Sequence, residues 1–268
     1  MYSLKKIYIL IVTVIIISGI ILTNINGNEI LPDIKESDKQ TSEREIDDKT
    51  AFWFLYGDGL PFEFTEDELS VLQNNRDILV INPIFTQVAY GEGGFYDYFR
   101  EECDETCLTL DVGQQWKTPT LQSSAMGIRI FEELGWDMLN DLEVHKNPSL
   151  LDNYKKIIVL HNEYVTREMF DSITSHPKVI YLYPNALYAQ VKYDTENNTI
   201  TLIRGHSYPE KSIDNGFDWE FDNTRPYEFD KYCDTWEFYE IDNGFMLNCY
   251  PEGLIITEPE LLKTILDL

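Results

Sequence analysis

The sequence predicts an α/β domain with a mostly parallel sheet between helices, and two observations carry that prediction. Three short apolar runs, Ile78–Ile81, Ile157–Leu160 and Val179–Tyr183, are bounded by polar residues or proline, as strands buried on both faces are. Helix-forming segments separate them. Strand, helix and strand within so few residues imply a right-handed parallel crossover.

The elements follow in order. A first helix is predicted from Ser124 through Leu134, with Ser123 or Ser124 as its cap, Gly127, Phe131 and Leu134 on one face and Gly135 at the stop position. A second runs from Arg167 to Ile173 behind a Thr166 cap and ends before Pro177. Beyond Pro184, residues Leu187–Tyr193 and Thr199–Arg204 alternate around Thr195-Glu196-Asn197-Asn198, a hairpin pattern. Residues 205–250 read as an irregular, aromatic-rich elaboration.

Two segments precede this domain, which spans residues 51–268. Lys5 and Lys6 are followed by an apolar stretch from Ile7 to Ile25, 19 residues or about 28 Å as a helix. Within residues 1–25 this reads as a transmembrane signal anchor. A cleaved signal peptide is the rival reading, but no small-x-small site follows Leu22. Either way the two lysines hold the N-terminus inside and the rest of the chain leaves the cytoplasm. Residues 26–50 contain no aromatic residue and read as a flexible polar stalk.

The 268 residues hold 21 Lys and Arg against 47 Asp and Glu, a net charge of −26. Such a balance argues against nucleic acid, whose binding rests on clustered cations. The acidity is segregated: residues 50–111 hold 13 acidic and 2 basic residues, and residues 210–242 hold 11 and 3. If these stretches meet around a crevice, cationic ligands are the partners to test.

All four cysteines, Cys103, Cys107, Cys233 and Cys249, lie beyond the apolar stretch. An even count outside the cytoplasm favours disulfides, closing locally as 103 with 107 and 233 with 249. Zinc is the alternative, but the spacings do not match paired C-x2-C ligands. Asn197-Asn198-Thr199 is a glycosylation acceptor on the hairpin turn.

Chemistry is expected beyond the carboxyl ends of the strands. The strand ending at Leu160 delivers His161-Asn162-Glu163-Tyr164, the next delivers Pro184-Asn185, and the first delivers Asn82-Pro83 and a loop from Thr86 to Tyr98 holding Gly91, Gly93 and Gly94. His161 and Glu163 form an acid and base pair if they face one crevice. A second polar centre, Arg204-Gly205-His206-Ser207-Tyr208, ends the hairpin. His145 and His176 are the remaining histidines. Nucleophile elbows and phosphate-binding loops are absent. Asp194–Asn198 lacks the EF-hand glycine, and Asp214, Asp218, Glu220 and Asp222 form an acidic run able to hold a cation.

Over Tyr154-Lys155-Lys156-Ile157-Ile158-Val159-Leu160-His161-Asn162-Glu163-Tyr164, with the helix and strand that follow, the chain resembles the C-terminal domain of N,N-dimethylformamidase beta-subunit-like proteins, which have the class I glutamine amidotransferase-like fold. The family's segment reads His-Asp-Glu-Tyr-Trp after its strand, so His161, Glu163 and Tyr164 match while Asn162 and Val165 depart. The resemblance spans residues 150–190. It implies a three-layer sandwich and, in members that are enzymes, hydrolysis of an amide C–N bond at an iron held by Tyr and Glu oxygens. Tyr164 is the one residue carried over as a metal ligand.

Two functions therefore compete. One is a membrane-anchored, extracytoplasmic hydrolase-like protein with a degenerate site around His161, Glu163, Tyr164 and His206. The other is a non-catalytic surface module that binds carbohydrate or cationic ligands through the 12 aromatics between Tyr208 and Tyr250. The first requires His161, Glu163, Tyr164 and His206 to converge on one cavity.

Overall fold

The computed structural model describes residues 59–115 and 123–268. The predicted anchor, residues 1–25, and stalk, residues 26–50, lie outside the described residues. No helix among the described residues is long and apolar enough to cross a membrane.

The described residues open with α1 (Glu66–Gln73), fixed by a capping box. Thr65 accepts from the Glu68 amide while the Glu68 carboxylate reaches back to Thr65, and three acidic residues occupy the first turn. Then come β1 (Ile78–Asn82), α2 (Ile84–Ala89), α3 (Phe95–Phe99), β2 (Thr109–Asp111), α4 (Val112–Gln115), α5 (Ala125–Glu133), β3 (Asp137–Asn140) and α6 (Asp141–Lys146). The second half holds β4 (Lys156–Val159), β5 (Tyr164–Val165), α7 (Arg167–Ser175), β6 (Val179–Tyr181), β7 (Ala189–Asp194), β8 (Thr199–Arg204), α8 (Thr224–Tyr227), β9 (Phe238–Ile241), β10 (Gly244–Leu247) and α9 (Pro259–Asp267).

The predicted runs become β1, β4 and β6, and their apolar continuity has the expected cause. Leu79, Ile81, Ile157, Val159 and Val179 enter one core cluster, while Ile78, Val80, Ile158 and Ile180 enter the other. Each of these side chains contributes about 1.5–3 kcal/mol on burial.

The single, mostly parallel sheet of a three-layer sandwich is not what forms. Two sheets form, and each mixes parallel with antiparallel pairing. The larger has the order β3-β1-β4-β6-β10-β9, with β9 antiparallel to β10. The smaller has the order β2-β8-β7-β5, with β8 antiparallel to both β2 and β7 and β5 parallel to β7. The physical reason lies in the hairpin. Its apolar positions Val191, Ile200 and Leu202 pack into the core against one face of the larger sheet, together with α2, α6 and α7, so β7 and β8 cover that sheet instead of extending it.

The C-terminal segment is irregular as far as residue 237, apart from the short α8, but not beyond it. It supplies β10, which pairs parallel to β6, together with β9 and the helix α9, whose Leu261, Leu262 and Ile265 pack under the opposite face. Its aromatics are mostly core. Phe217 and Tyr250 are buried, Trp219, Phe221, Trp236, Phe238, Tyr239 and Phe245 pack against the clusters, and Phe229 and Tyr232 are exposed.

Two local differences matter for the site. Ser124 precedes α5 in a left-handed conformation (φ 61°) and makes no side-chain cap; its hydroxyl instead accepts the His161 amide at 2.8 Å. Thr166 does cap its helix, accepting from the Met169 amide. Cys103 bonds to Cys107 and Cys233 to Cys249, which takes the sulfurs from any zinc site.

Candidate functional site

In the larger sheet the order of strands reverses at β1, which lies between β3 and β4, and ligand crevices form at the carboxyl ends of strands at such points. The segment 161–164 leaves β4 there, and the segment after β1 runs beside it. Three side chains from elsewhere hold the segment down. Ser124 accepts the His161 amide, Thr86 accepts the Glu163 amide at 3.0 Å, and Asp141 accepts the Asn162 side-chain amide at 2.8 Å. Asp141 also accepts the Phe85 amide at 2.7 Å. Asn162 suits this place: an aspartate there would set two buried carboxylates against each other, whereas the amide donates.

Glu163 is the centre of the site and is fully buried. Its Oε1 accepts from His206 Nε2 and from the Tyr96 hydroxyl at 2.9 Å, and its Oε2 lies 3.6 Å from His161 Nε2. Tyr90 and Tyr96 hydroxyls are 2.7 Å apart, so Tyr90 donates to Tyr96 and Tyr96 to Glu163. Tyr250 meets His161 Nδ1 at 3.2 Å. Burial pushes the Glu163 carboxyl up, but the His206 and His161 charges and the hydrogen bonds from His206 and Tyr96 outweigh it and hold it below its ordinary range. Burial and the Glu163 charge push the Tyr96 and Tyr164 hydroxyls well above theirs, so both stay protonated.

His206 reaches Glu163 from the end of β8 through a turn of three left-handed residues, Gly205 (φ 126°), His206 (φ 51°) and Ser207 (φ 63°). A Cβ on Gly205 would stand 2.9 Å from Ala189, so only glycine fits the approach. The His206 ring stacks on Tyr164 at 5.6 Å and contacts Phe99 at 4.9 Å and Tyr188 at 4.7 Å. Tyr96, Phe99, Tyr188 and His206 line an open cleft of about 780 Å³.

The structure thus brings His161, Glu163, Tyr164 and His206 into mutual contact, with His206 the one of the four that lines the cleft. Tyr164 forms a wall of the site, through its ring. His145 instead bonds Thr166 at 3.0 Å, and His176 lies against the Lys178 and Tyr154 carbonyls, so both serve the scaffold. Asn185 is buried, and Asn82 accepts from Gln87. In the acidic run, Asp218 pairs with Arg204 and Asp222 binds Thr224. Asn197 is exposed on the β7–β8 turn, its side-chain amide donating to Asp194.

Tyr90, Tyr96 and Asp141 carry no site signal of their own in the sequence, and Tyr250 enters there as one of the C-terminal aromatics. The first two lie in the candidate loop from Thr86 to Tyr98, while Tyr250 lies 89 positions from His161, with no local signal.

Two buried oxygens without a hydrogen-bond partner, Glu163 Oε2 and the Tyr164 hydroxyl, are what these residues offer an iron. No group of three or more His, Cys, Asp or Glu surrounds a metal position among the described residues. Tyr164 is held neutral beside Glu163, whose Oε1 already serves His206 and Tyr96.

No protein-family model matches the chain, and no curated protein matches it.

Proposed function

We propose that this is an extracytoplasmic hydrolase acting on amide C–N bonds by general acid–base chemistry, with His206 and Glu163 as the working pair. The observation that carries the reading is a fully buried carboxylate joined to a histidine that lines an open cleft. With Glu163 ionised, His206 donates Nε2–H to it, which leaves Nδ1 as the proton acceptor. Water in the cleft gives its proton to Nδ1 while its oxygen attacks the amide carbonyl. Glu163 stabilises the imidazolium, which then protonates the leaving nitrogen as the C–N bond breaks. Carboxylic acid and amine leave, and His206 returns to its neutral form. His161 and Tyr96 hold the Glu163 carboxylate in place.

Amide as the substrate class rests on the resemblance at His161, Glu163 and Tyr164. The two disulfides are consistent with an oxidising compartment and so support a location outside the cytoplasm, with the apolar run at residues 7–25 as the anchor. The non-catalytic alternative loses most of its stacking rings to the core. It retains the aromatic lining of the cleft.

The test is amine release by the full-length protein from a panel of amides, with Glu163→Gln and His206→Asn alongside and circular dichroism to confirm folding. Turnover that falls roughly 10²–10⁴-fold in both variants supports the reading. Turnover unchanged in either, or none in the wild type, sinks it.

A further inference from the structure

The two acidic stretches of the sequence meet at the cleft. Glu101 and Asp104 come from the first and Asp214 from the second, and two cations, Lys211 and Arg225, stand among the same lining residues. Nearby arginines are already engaged: Arg100 with Asp97 and Glu102, and Arg204 with Asp218. Glu101, Asp104 and Asp214 on one side of the charge balance and Lys211 and Arg225 on the other make no ion pair among the described residues. Unpaired charges of both signs therefore share one cleft with the aromatic faces of Phe99 and Tyr188 and with His206.

A ligand of one sign meets one attractive set and one repulsive set, and part of its electrostatic gain is lost. A ligand with an ammonium at one end and a carboxylate at the other gains from both. We infer that the cleft takes a peptide-like zwitterion, its carboxylate toward Lys211 and Arg225 and its ammonium toward Glu101 and Asp104, with an apolar side chain against Phe99 and Tyr188. This rests on the amide-hydrolase reading and names its substrate class as short peptides with both ends free.

Calorimetric titration of the full-length His206→Asn variant with phenylalanylalanine, its N-acetyl form and its C-terminal amide tests the inference. The free dipeptide binds roughly three- to fivefold more tightly than either capped form, and the advantage shrinks in high salt. Arg225→Gln removes the advantage over the amide, and Glu101→Gln the advantage over the acetyl form. Equal binding of the three forms, or binding of none, overturns the zwitterion site. Wild-type protein that shows the binding pattern without cleaving the dipeptide keeps the site and sinks the hydrolase. Wild-type protein that cleaves uncharged amides as fast as the dipeptide keeps the hydrolase and sinks the zwitterion site.

Discussion

His161 and His206 share one carboxylate and live in different surroundings. His161 is 1% exposed, with Tyr90, Tyr183 and Tyr250 around its ring. The His206 side chain is 19% exposed and lines the cleft at the end of a left-handed turn. The same ion-pair chemistry therefore serves two ends. Under the proposed function, a sealed imidazole fixes the carboxylate and an open one uses it. Proximity to Glu163 alone does not distinguish structure from catalysis; access to the cleft does.

That contrast can be broken at its centre first. Glu163→Gln removes the partner of both histidines, so turnover falls roughly 10²–10⁴-fold and stability drops by about 3–5 kcal/mol, read by amine release and urea unfolding. The two histidine variants then separate the roles. His206→Asn loses turnover on the same scale but costs less stability than Glu163→Gln, because the asparagine amide can still donate to the Glu163 carboxylate and the side chain is partly solvated at the cleft. His161→Asn does the reverse, losing about 1–3 kcal/mol of stability with a smaller loss of rate, since buried partners are left unsatisfied. Equal effects on both measurements for the two variants would end the distinction.

A smaller effect comes from pH. Burial pushes the Asp141 carboxyl up to about 7, against the hydrogen bonds from the Phe85 amide and Asn162. The folded protein then holds a proton that the unfolded chain releases near 4. Stability consequently falls as pH rises from about 4 to about 7, by at most about 1.4 kcal/mol per pH unit, and levels off above that. Glu163 has the opposite sign. Its carboxyl is depressed, so its contribution is present above its ordinary pKa and is lost as pH falls through the lower folded value. Unfolding curves between pH 4 and 8 check the first slope, and Asp141→Asn flattens it.

Much of this was legible in sequence for a physical reason. β1, β4 and β6 are buried on both faces, so their residues form unbroken apolar runs. His161–Tyr164 was found because it follows such a run, and His206 because it ends an alternating hairpin. The second sheet was hidden because β5 has two residues and β2 three, too short for any period to show. β9 and β10 were masked by the aromatic density around them. The capping box at Thr65 and Glu68 was present to be read. Tyr96 could not be assigned, because its bond to Glu163 spans 67 positions and depends on how β1 and β4 are paired.

The route by which His206 arrives has a mechanical consequence. Glu163 follows a strand of the larger sheet, but its carbonyl accepts the Tyr188 and Ala189 amides and Tyr164 pairs with Ala189, which ties it to the smaller sheet that carries His206 at the tip of β8. The His206–Glu163 bond is thus anchored at both ends in one sheet, and a slip of the two sheets past each other moves both partners together. In a thermal ramp the proposed activity should accordingly persist until the far-ultraviolet signal changes.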